Sequence, residues 1–534
     1  MTSVAETLKQ RLATSPTVGL IGLGYVGLPL AVAFAESGAN VIGVDLDARR
    51  VAAVRAGASF IEDVPAEPLA RLVRAGRLSA RDDVGALKDA DAIIICVPTP
   101  LGKSKEPDIS FIVAAADAVA AIIRPGQLVV LESTTYPGTT QEVLLPRFQA
   151  RGVVVGRDVF LAFSPERIDP GNRRWTLRDI PKVVGGVTDA CRVLATTLYA
   201  RVTAQVVPVS GPETAEMVKL FENTFRSVNI ALVNEFAIMC RRLRLSVWEV
   251  IAAASTKPFG FMPFYPGPGL GGHCLPSDPH YLSWKVRLEG YEPRFITFAD
   301  EINRQMPAYV VQMVADALND RTRALRGTRI LVLGVAYKAG VADVRDSPAL
   351  EIIEGLLAKG AVVEYHDPYV SSVMVGTRTL QSVSWEAAAL PSRDVVLILT
   401  AHAGYDWAAI VRDSPLVIDT RNATGTLPPP PTSSASRVPG PMEIATSSRR
   451  RDSSTRRNAA ALVLWRSWAT GAAGAGGRGR EDHAARVRCS AAAGLHPGAR
   501  APAGARRERV PSTPPACARR PRRPAVSDAK HIDR

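Results

Sequence analysis

The segment from Pro266 to Asp278 concentrates residues that could do covalent chemistry. It reads Pro-Gly-Pro-Gly-Leu-Gly-Gly-His-Cys-Leu-Pro-Ser-Asp, and its glycines leave Cys274 open to a substrate. Pro276 suits the first turn of a helix, so the thiol is predicted to lie near a helix N-terminus. That position lowers a thiol pKa and favours the nucleophilic thiolate. Asp278, four residues after the cysteine, could return to the same face if the helix starts early.

A second group of polar residues falls on one face of a long predicted helix. Glu216, Lys219 and Asn223 lie at positions i, i+3 and i+7, which share a face at helical spacing. A lysine and an asparagine four residues apart can aim two donors at one oxygen, as an oxyanion site requires. The alternative interpretation of these three residues is a solvated helix face.

A glycine-rich turn indicates dinucleotide binding. The residues from Gly22 through Gly24, Tyr25 and Val26 to Gly27 fit G-x-G-x-x-G, follow an apolar strand and open a helix. The glycines allow a tight turn, close approach of the backbone to a pyrophosphate, and packing of helix on strand. Asp45, at the end of the next strand, could accept hydrogen bonds from a ribose diol and repel a 2′-phosphate. We therefore predict NAD rather than NADP.

The elements that must position these residues alternate between strands and helices. Short apolar strands are predicted at 17–21, 40–45, 91–97, 127–131 and 159–163, and again at 329–333, 362–366, 394–400 and 416–419. Continuous apolar strands predict parallel sheets covered on both faces. Long helices are predicted at 212–245 and at 294–319, the second interrupted or bent near Pro307, around a Gly- and Pro-rich loop at 255–280. The fold class is therefore α/β, with two Rossmann-like doubly wound domains joined by an all-α domain.

The net charge is confined to the C-terminal segment. Residues 428–534 carry 21 Lys and Arg against 7 Asp and Glu, which accounts for the whole formal charge of +14. The preceding residues are balanced, so the charge gives little support to nucleic-acid binding. Rich in Arg, Pro, Ala and Gly, the segment is predicted to be a disordered tail, with a frameshifted end as one origin. A basic nucleic-acid-binding tail is the alternative.

The cysteines and apolar runs bear on compartment. Six scattered cysteines without a C-x-x-C pair indicate free thiols in a reducing compartment, so a cytoplasmic location is expected. The apolar run 18–35 contains four glycines and a proline, which argues against a membrane helix. No metal site is predicted. Outside the glycine-dense loop, buried structural thiols are expected at Cys96, Cys191 and Cys240.

The motifs, taken in order, resemble those of the UDP-glucose/GDP-mannose dehydrogenase family. They are Gly-x-Gly-Tyr-Val-Gly, Glu132-Ser-Thr-x-x-Pro-Gly-Thr, Ser164-Pro-Glu-Arg, Lys219-x-x-x-Asn, Gly-Gly-His-Cys-x-Pro-x-Asp and Tyr337-Lys-x₄-Asp-Val-Arg-Asp-Ser-Pro. The resemblance covers roughly residues 15–425. It implies an NAD-binding domain (1–208), a helical dimerisation domain (209–322), a UDP-sugar-binding domain (323–427), and a homodimer or higher homo-oligomer. Residues 428–534 would follow as the tail.

The resemblance also implies a role for each matching residue in a four-electron oxidation that consumes two NAD. Cys274 would form a thiohemiacetal and then a thioester, and Lys219 and Asn223 would stabilise the oxyanion. Thr134 and Asp278 would hold a water for proton transfer, and Glu166 would assist thioester hydrolysis. The further substrate contacts would be Arg167, Gly271 and Lys338. The cofactor contacts would be Gly22, Gly24, Tyr25, Val26, Gly27, Asp45, Arg50, Thr99, Thr134 and Arg345.

Within the family, three segments resemble the branch that oxidises UDP-N-acetylhexosamines. They are 132–138, 165–172 and 266–274, and Ser277 stands where the UDP-glucose branch typically has lysine. UDP-N-acetylglucosamine is therefore the predicted substrate, although residue types do not identify the epimer. A UDP-glucose 6-dehydrogenase is the alternative among enzymes. A non-catalytic nucleotide- or nucleic-acid-binding protein is the alternative from another class.

Overall fold

The computed structural model describes residues 3–61, 63–102, 104–169, 171–172, 174–385, 387–425 and 443–445. Two sheet-containing regions flank a central helical region. The predicted class, two doubly wound α/β units joined by an all-α segment, is confirmed.

The first region is built on an eight-stranded sheet in the order β3-β2-β1-β4-β5-β6-β7-β8. Its strands are β1 Thr17–Ile21, β2 Asn40–Val44, β3 Leu78–Arg81, β4 Ala92–Ile95, β5 Leu128–Leu131, β6 Phe160–Phe163, β7 Lys182–Gly186 and β8 Val206–Val209. All neighbouring pairs are parallel except β6 and β7, which run antiparallel. The reversal at β7 differs from the wholly parallel sheet that the sequence predicts.

Helices cover both faces of this sheet. They are α1 Val4–Thr14, α2 Gly27–Glu36, α3 Ala48–Arg55, α4 Ala66–Arg74, α5 Ser110–Ile122, α6 Leu145–Gln149 and α7 Asp189–Tyr199, with one π turn at Thr140–Leu144 before α6. Successive strand residues enter different cores: Leu20 and Ile94 pack on one face, and Ile93 and Ile95 on the other. This two-sided burial is why the strands read as continuous apolar runs.

The central region contains four helices: α8 Pro212–Leu243, α9 Val247–Ala254, α10 Asp278–Leu288 and α11 Arg294–Asn319. α8 ends where Arg244 adopts a left-handed conformation with φ 58°. α11 is one continuous helix with Pro307 inside it. Buried asparagines join the two long helices, since Asn234 donates to Asn303 at 3.0 Å.

The second sheet has the order β10-β9-β13-β14-β15 and lies beside a separate hairpin of β11 and β12. The elements are β9 Arg329–Leu333, α12 Pro348–Ala358, β10 Val362–His366, β11 Ser372–Val375, β12 Arg378–Gln381, β13 Val395–Ile398, α13 Trp407–Asp413, β14 Val417–Asp419 and β15 Glu443–Ala445. The four strands from β10 to β14 in this order are parallel.

The two sheet regions repeat one local geometry at the end of their first strand. The Gly22 N–H donates to the Val44 carbonyl at 2.7 Å, and the Gly334 N–H donates to the His366 carbonyl at 2.9 Å. Asp367 follows β10 and accepts from the Val335 N–H at 2.8 Å. The third region, built on the sheet that contains β9, is thus a doubly wound unit in detail as well as in strand order.

Part of the predicted tail is described. Glu443–Ala445 pair antiparallel with β14 and so cover an edge that would otherwise present unpaired backbone groups. These three residues depart from the predicted disorder. The rest of the segment 428–534 lies outside the described residues. Within the described residues, no helix is both long and apolar enough to cross a membrane.

Candidate active site

The glycine-rich turn has the shape that a pyrophosphate would need. Gly22 has φ +98°, and a side chain there would meet the Cys96 carbonyl. A Cβ at Gly27 would lie 1.8 Å from the Gly22 carbonyl oxygen, whereas at Gly24 the nearest atom is Arg50 Nη1 at 4.0 Å. The open space beside Gly24 faces the start of α2, which has no side-chain cap. This free N-terminus and its open approach fit an anionic cofactor.

The Asp45 carboxylate holds the glycine-rich turn in place. Its Oδ2 accepts from the Leu23 N–H at 2.8 Å, and its Oδ1 accepts from the Asp47 N–H at 2.9 Å. Arg50 Nη1 lies 3.4 Å from Oδ2. Each carboxylate oxygen has two acceptor positions, so capacity for a ribose hydroxyl remains. The structure therefore gives Asp45 a structural role that its sequence position did not reveal.

The glycine-dense loop before α10 is held from two sides. The Gly267 N–H donates to Asn234 on α8 at 2.9 Å, and the Gly272 N–H donates to the Arg345 carbonyl at 3.0 Å. A Cβ at Gly271 would lie 2.8 Å from the Asp346 carbonyl oxygen. Packing of the loop against the third region is thus enough to require glycine at 271. The predicted contact of Gly271 with the substrate stays a prediction.

Cys274 lies one turn before α10 and is exposed. Its carbonyl accepts from the Asp278 N–H at 2.8 Å, so a single turn brings Asp278 close to the thiol without the early helix start on which the prediction depended. The helix begins at Asp278 rather than near Pro276, and Pro279 occupies its first turn. Pro276 instead lies within the preceding turn.

The predicted lowering of the Cys274 pKa is wrong. Burial by the surrounding protein and then the Asp278 carboxylate raise the pKa of the Cys274 thiol, and the charge of Lys219 only partly offsets them. Desolvation of the thiol by the protein around it is the larger cause, and the acid at the first position of α10 adds to it, because its carboxylate opposes the positive end of the helix dipole. Deprotonation of this thiol therefore needs assistance from a base or from bound ligands.

Three buried side chains from α8 and α10 meet beside Cys274. Asn223 Nδ2 donates to Asp278 Oδ2 at 2.5 Å. Lys219 is 8% exposed as a residue, and its ammonium makes no hydrogen bond or ion pair among the described residues. Burial raises the pKa of Asp278 to about 6, against the opposing effects of Lys219 and the Asn223 amide. The site therefore combines an unpaired cation with a carboxyl that titrates near neutrality.

Glu216 has a structural role instead of sharing this site. Its carboxylate accepts from the Gly138 N–H at 2.6 Å, the Thr140 N–H at 2.9 Å and the Thr140 hydroxyl at 2.7 Å. These bonds tie α8 to the loop that follows β5. The helix face predicted from spacing is real, but its first member supports the backbone around 138–140.

Glu166 follows β6 and is held as an anion. Its Oε1 accepts from the Arg167 N–H at 2.7 Å and the Ile168 N–H at 2.6 Å. Burial alone would raise the pKa of Glu166, but Lys182 and these contacts outweigh it, so the pKa is lowered. The Arg167 guanidinium pairs with Glu222 on α8 at 2.5 Å and donates to the Pro181 carbonyl at 2.6 Å. Arg167 thus fixes the loop after β6 against α8.

Two further buried residues complete the surroundings of Glu166. Lys182, the first residue of β7, contacts Glu132 Oε1 and lies 3.2 Å from Glu166 Oε2. Tyr199, at the end of α7, donates to Glu132 Oε2. Sequence reasoning missed Lys182 and Tyr199, because a single lysine at the start of a short strand carries no periodic signal.

Residues from the third region reach the first across the site. Lys338 Nζ lies 2.8 Å from both carboxylate oxygens of Asp169. The Arg345 guanidinium stacks on the ring of Tyr25 at 4.9 Å and pairs with Asp343. The predicted cofactor contacts Tyr25 and Arg345 are thus brought together from opposite ends of the chain.

The remaining predicted residues lie at the carboxyl edge of the first sheet. Thr99 follows β4 and is buried, and Thr134 follows β5 and is half-buried. Val26 forms the N-cap of α2. Parallel sheets of this kind bind ligands at this edge, where several strand ends meet. Thr99, Thr134 and the glycine-rich turn before α2 therefore all follow strands of this sheet at its carboxyl edge.

Comparison with known proteins agrees with this arrangement. Residues 16–203, 213–305 and 331–426 match, respectively, the NAD binding domain, central domain and UDP binding domain of the UDP-glucose/GDP-mannose dehydrogenase family. The chain is 37% identical over 357 residues to UDP-N-acetyl-D-glucosamine 6-dehydrogenase of Pseudomonas aeruginosa, covering 66% of this chain and 83% of the relative.

A second relative is similar over a longer stretch. The chain is 36% identical over 411 residues to UDP-N-acetyl-D-mannosamine dehydrogenase of Pyrococcus horikoshii, covering 76% of this chain and 95% of the relative. The solved structure of UDP-D-ManNAc dehydrogenase from Pyrococcus horikoshii superposes with a TM-score of 0.70 at 34% identity, covering 78% of this chain and 97% of that one. The chain therefore belongs to the UDP-glucose/GDP-mannose dehydrogenase family and is an NAD-dependent nucleotide-sugar dehydrogenase.

Proposed function

We propose that this protein oxidises the C6 alcohol of UDP-N-acetyl-D-glucosamine to the carboxylate, through a thioester on Cys274. The observation that carries the proposal is the Lys219 ammonium, which has no hydrogen-bond or ion-pair partner among the described residues and lies near Cys274 and the Asn223–Asp278 pair. A cation without an ion-pair partner can stabilise an anion that forms within its reach. The alkoxide that develops during hydride transfer from a thiohemiacetal is such an anion.

The reaction assigned to these residues has three parts. Oxidation of the alcohol gives an aldehyde, and the Cys274 sulfur adds to its carbonyl carbon to form a thiohemiacetal. Loss of a second hydride gives the thioester, and water then cleaves the C–S bond to release the acid and regenerate the thiol. NAD supplies the hydride acceptor in both oxidations. Lys219 stabilises the oxyanion in each tetrahedral species.

Proton transfer in this scheme falls to two carboxyl groups. Asp278, with a pKa raised to about 6 by burial, can take and return a proton near neutral pH. Thr134 is assigned to the water that connects Asp278 with the reacting oxygen. Glu166, which stays ionised, serves as the base that activates water for thioester hydrolysis. Arg167 and Gly271 are assigned to the substrate side of the site, and Lys338 would exchange Asp169 for the substrate.

The choice of sugar rests on the relatives and on the motifs. One relative described above is named for UDP-N-acetyl-D-glucosamine and another for its mannosamine epimer. The segments 132–138 and 165–172 and the residue Ser277 favour an N-acetylhexosamine over glucose. We therefore place UDP-N-acetyl-D-glucosamine first, its epimer second and UDP-glucose third.

The direct test is NADH formation with a panel of UDP-sugars and identification of the product by mass. We expect two NADH per sugar and a uronic acid, with UDP-N-acetyl-D-glucosamine giving the highest kcat/KM. A single NADH with release of free aldehyde would contradict the thioester route. Preference for UDP-glucose would contradict the proposed substrate, and binding without any turnover would favour the non-catalytic alternative.

We also propose that the chain forms a homodimer through α8. Large apolar side chains are exposed along one stripe of this helix at helical spacing, and they are Phe221, Phe225, Leu232, Phe236, Met239 and Leu243. Such a stripe is costly in water and suits an interface with a second copy. Sedimentation of Phe236→Arg should show a monomer, whereas Met374→Arg, on the exposed β11–β12 hairpin, should sediment as wild type. An unchanged mass for Phe236→Arg would contradict the α8 interface.

A further inference from the structure

Glu166 belongs to a buried triad of charged side chains, and its two other members, Glu132 and Lys182, have no role in the reaction proposed above. The Lys182 ammonium contacts Glu132 Oε1 and lies 3.2 Å from Glu166 Oε2. All three side chains are 9% exposed or less. The triad joins the ends of β5 and β6 to the start of β7, which runs antiparallel to β6.

The charges of this triad do not balance if every group is ionised. Two carboxylates would face one ammonium, which leaves a net negative charge in a desolvated space. A buried site of this kind takes up one proton instead. Burial, opposed in part by Lys182, raises the pKa of Glu132 to about 7.

Geometry decides which carboxyl holds the proton. Glu166 Oε1 accepts from two backbone N–H groups, at 2.7 and 2.6 Å, and these bonds favour the anion. Glu132 Oε2 accepts from the Tyr199 hydroxyl, which by rotating can instead accept a hydrogen bond from that carboxyl when it is protonated. The proton therefore belongs on Glu132, and Glu166 is left as the anion paired with Lys182.

On this basis, and given the function proposed above, we propose that Glu132 and Lys182 are positioning residues for thioester hydrolysis. Lys182 keeps Glu166 ionised and fixes its Oε2. Glu132 carries the proton that neutralises the triad. In the step they support, the oxygen of water bonds to the thioester carbon while its proton passes to Glu166. The C–S bond then breaks, and the proton on Glu166 goes to the departing Cys274 sulfur, so Glu166 is ready again.

Among the described residues, three other titratable groups face the triad, from α8, from α7 and from the residue that follows β4. Lys219 of α8 adds positive charge near Glu166. Tyr199 of α7 and Cys96, which follows β4, are both neutral, because burial and then the Glu132 charge raise their pKa values. Tyr199 also lies under the Lys182 ammonium at 5.3 Å. None of these groups can replace Lys182 as the cation in contact with Glu166.

The test compares Lys182→Met with Glu132→Gln in the full-length enzyme, using rapid-quench measurements of NADH and of the Cys274 adduct between pH 4.5 and 9. Without Lys182, the Glu166 pKa should rise by about 1 unit or more. At pH 4.5, Lys182→Met should give a burst of two NADH per site and then hydrolysis slowed about five- to tenfold, because the acid limb of its pH profile has moved to higher pH. Lys182→Arg should return the acid limb of the hydrolysis profile to its wild-type position.

Glu132→Gln mimics the protonated carboxyl and should behave differently. It should hydrolyse the adduct as fast as wild type below pH 7 and should lack the inflection that wild type shows near pH 7. Glu132→Gln profiles that keep that inflection would overturn the inference, even if Lys182→Met does not fold. Equal slowing of both NADH steps in Lys182→Met, with no shift of the acid limb, would also overturn it by indicating a merely structural role.

The two proposals fail separately in this experiment. A wild-type enzyme that forms neither a Cys274 adduct nor a second NADH would contradict the proposed function. A wild-type enzyme that forms both, while the variants reproduce its pH profile, would contradict only the role assigned to the triad.

Discussion

Asn223 on α8 donates its amide N–H to Asp278 at the start of α10, with 2.5 Å between Nδ2 and Oδ2. The bond fixes the end of the glycine-dense loop against the longest helix of the chain. It also shows that one of the two donors expected at the oxyanion is engaged elsewhere. Lys219 is therefore the main electrostatic partner left for a developing negative charge, and Asn223 contributes with its second N–H.

The raised pKa of Asp278 predicts a pH-dependent contribution to stability. The pKa of this carboxyl is 3.8 in the unfolded chain and about 6 in the folded one. The protonated carboxyl therefore stabilises the fold fully below about pH 4, and this stabilisation is lost as the pH rises through about 6. The loss is about 3 kcal/mol. The free energies of unfolding in urea should therefore differ between wild type and Asp278→Asn by this much more at pH 7 than at pH 4. Parallel curves would contradict the assignment.

Replacement of Lys219 should separate catalysis from stability. Lys219→Met removes a cation that makes no ion pair or hydrogen bond among the described residues, so the melting temperature should stay about equal, while kcat falls about 100- to 1000-fold. Lys285→Met is a matched control, because the ammonium of Lys285 forms an ion pair with Glu142 at 2.7 Å and has no role assigned to it in the reaction. A Lys219→Met enzyme that loses stability and activity together would indicate a structural lysine.

Cys274→Ser should bind UDP-sugar and NAD but lose complete oxidation. An alkoxide forms far less readily than a thiolate at neutral pH, so the rate of acid formation should fall by about 100-fold or more. Calorimetric titration checks binding, and product mass checks oxidation. Cys240→Ser, in a separate apolar cluster of the central region, serves as control and should keep its turnover. Near-normal acid formation by Cys274→Ser would exclude covalent catalysis at this residue.

Asp45→Asn should weaken discrimination against NADP. The variant keeps an oxygen for the Leu23 N–H but removes the charge that would repel a 2′-phosphate. We expect the ratio of kcat/KM for NAD over NADP to fall about tenfold or more, since tenfold corresponds to about 1.4 kcal/mol. Initial rates with both cofactors measure the ratio. A wild type that already accepts NADP as readily as NAD would refute this role for Asp45.

Elements with a clear hydrophobic pattern could be predicted from the sequence to the residue. The strand Thr17–Ile21 and the helix Arg294–Asn319 have the predicted ends, because burial on both faces or on one stripe leaves a direct mark on residue type. The strand β7 was missed because a charged lysine opens it and two glycines end it, which leaves only two apolar residues between them. Its antiparallel direction depends on contacts with β6 that no local pattern encodes.

The site was predictable where residues share an element or a motif, and not where distant segments meet. Lys219 and Asn223 share a helix face, so spacing alone placed them together. The contact of Lys182 with Glu132 joins residues 50 positions apart, and Cys274 sits beside an acid whose effect on its pKa depends on three-dimensional distance. Burial and charge balance of this kind become visible only in the folded chain.

The bond from the Gly272 N–H to the Arg345 carbonyl has a consequence for how such chains can evolve. The loop that carries the nucleophile is shaped by backbone from the third region, and Gly271 leaves no room for a different fit. Recombination that exchanged residues after 323 with those of a relative would therefore bring a foreign partner to this loop. Substrate preference in this lineage should then change by point substitutions within both segments together, rather than by domain shuffling.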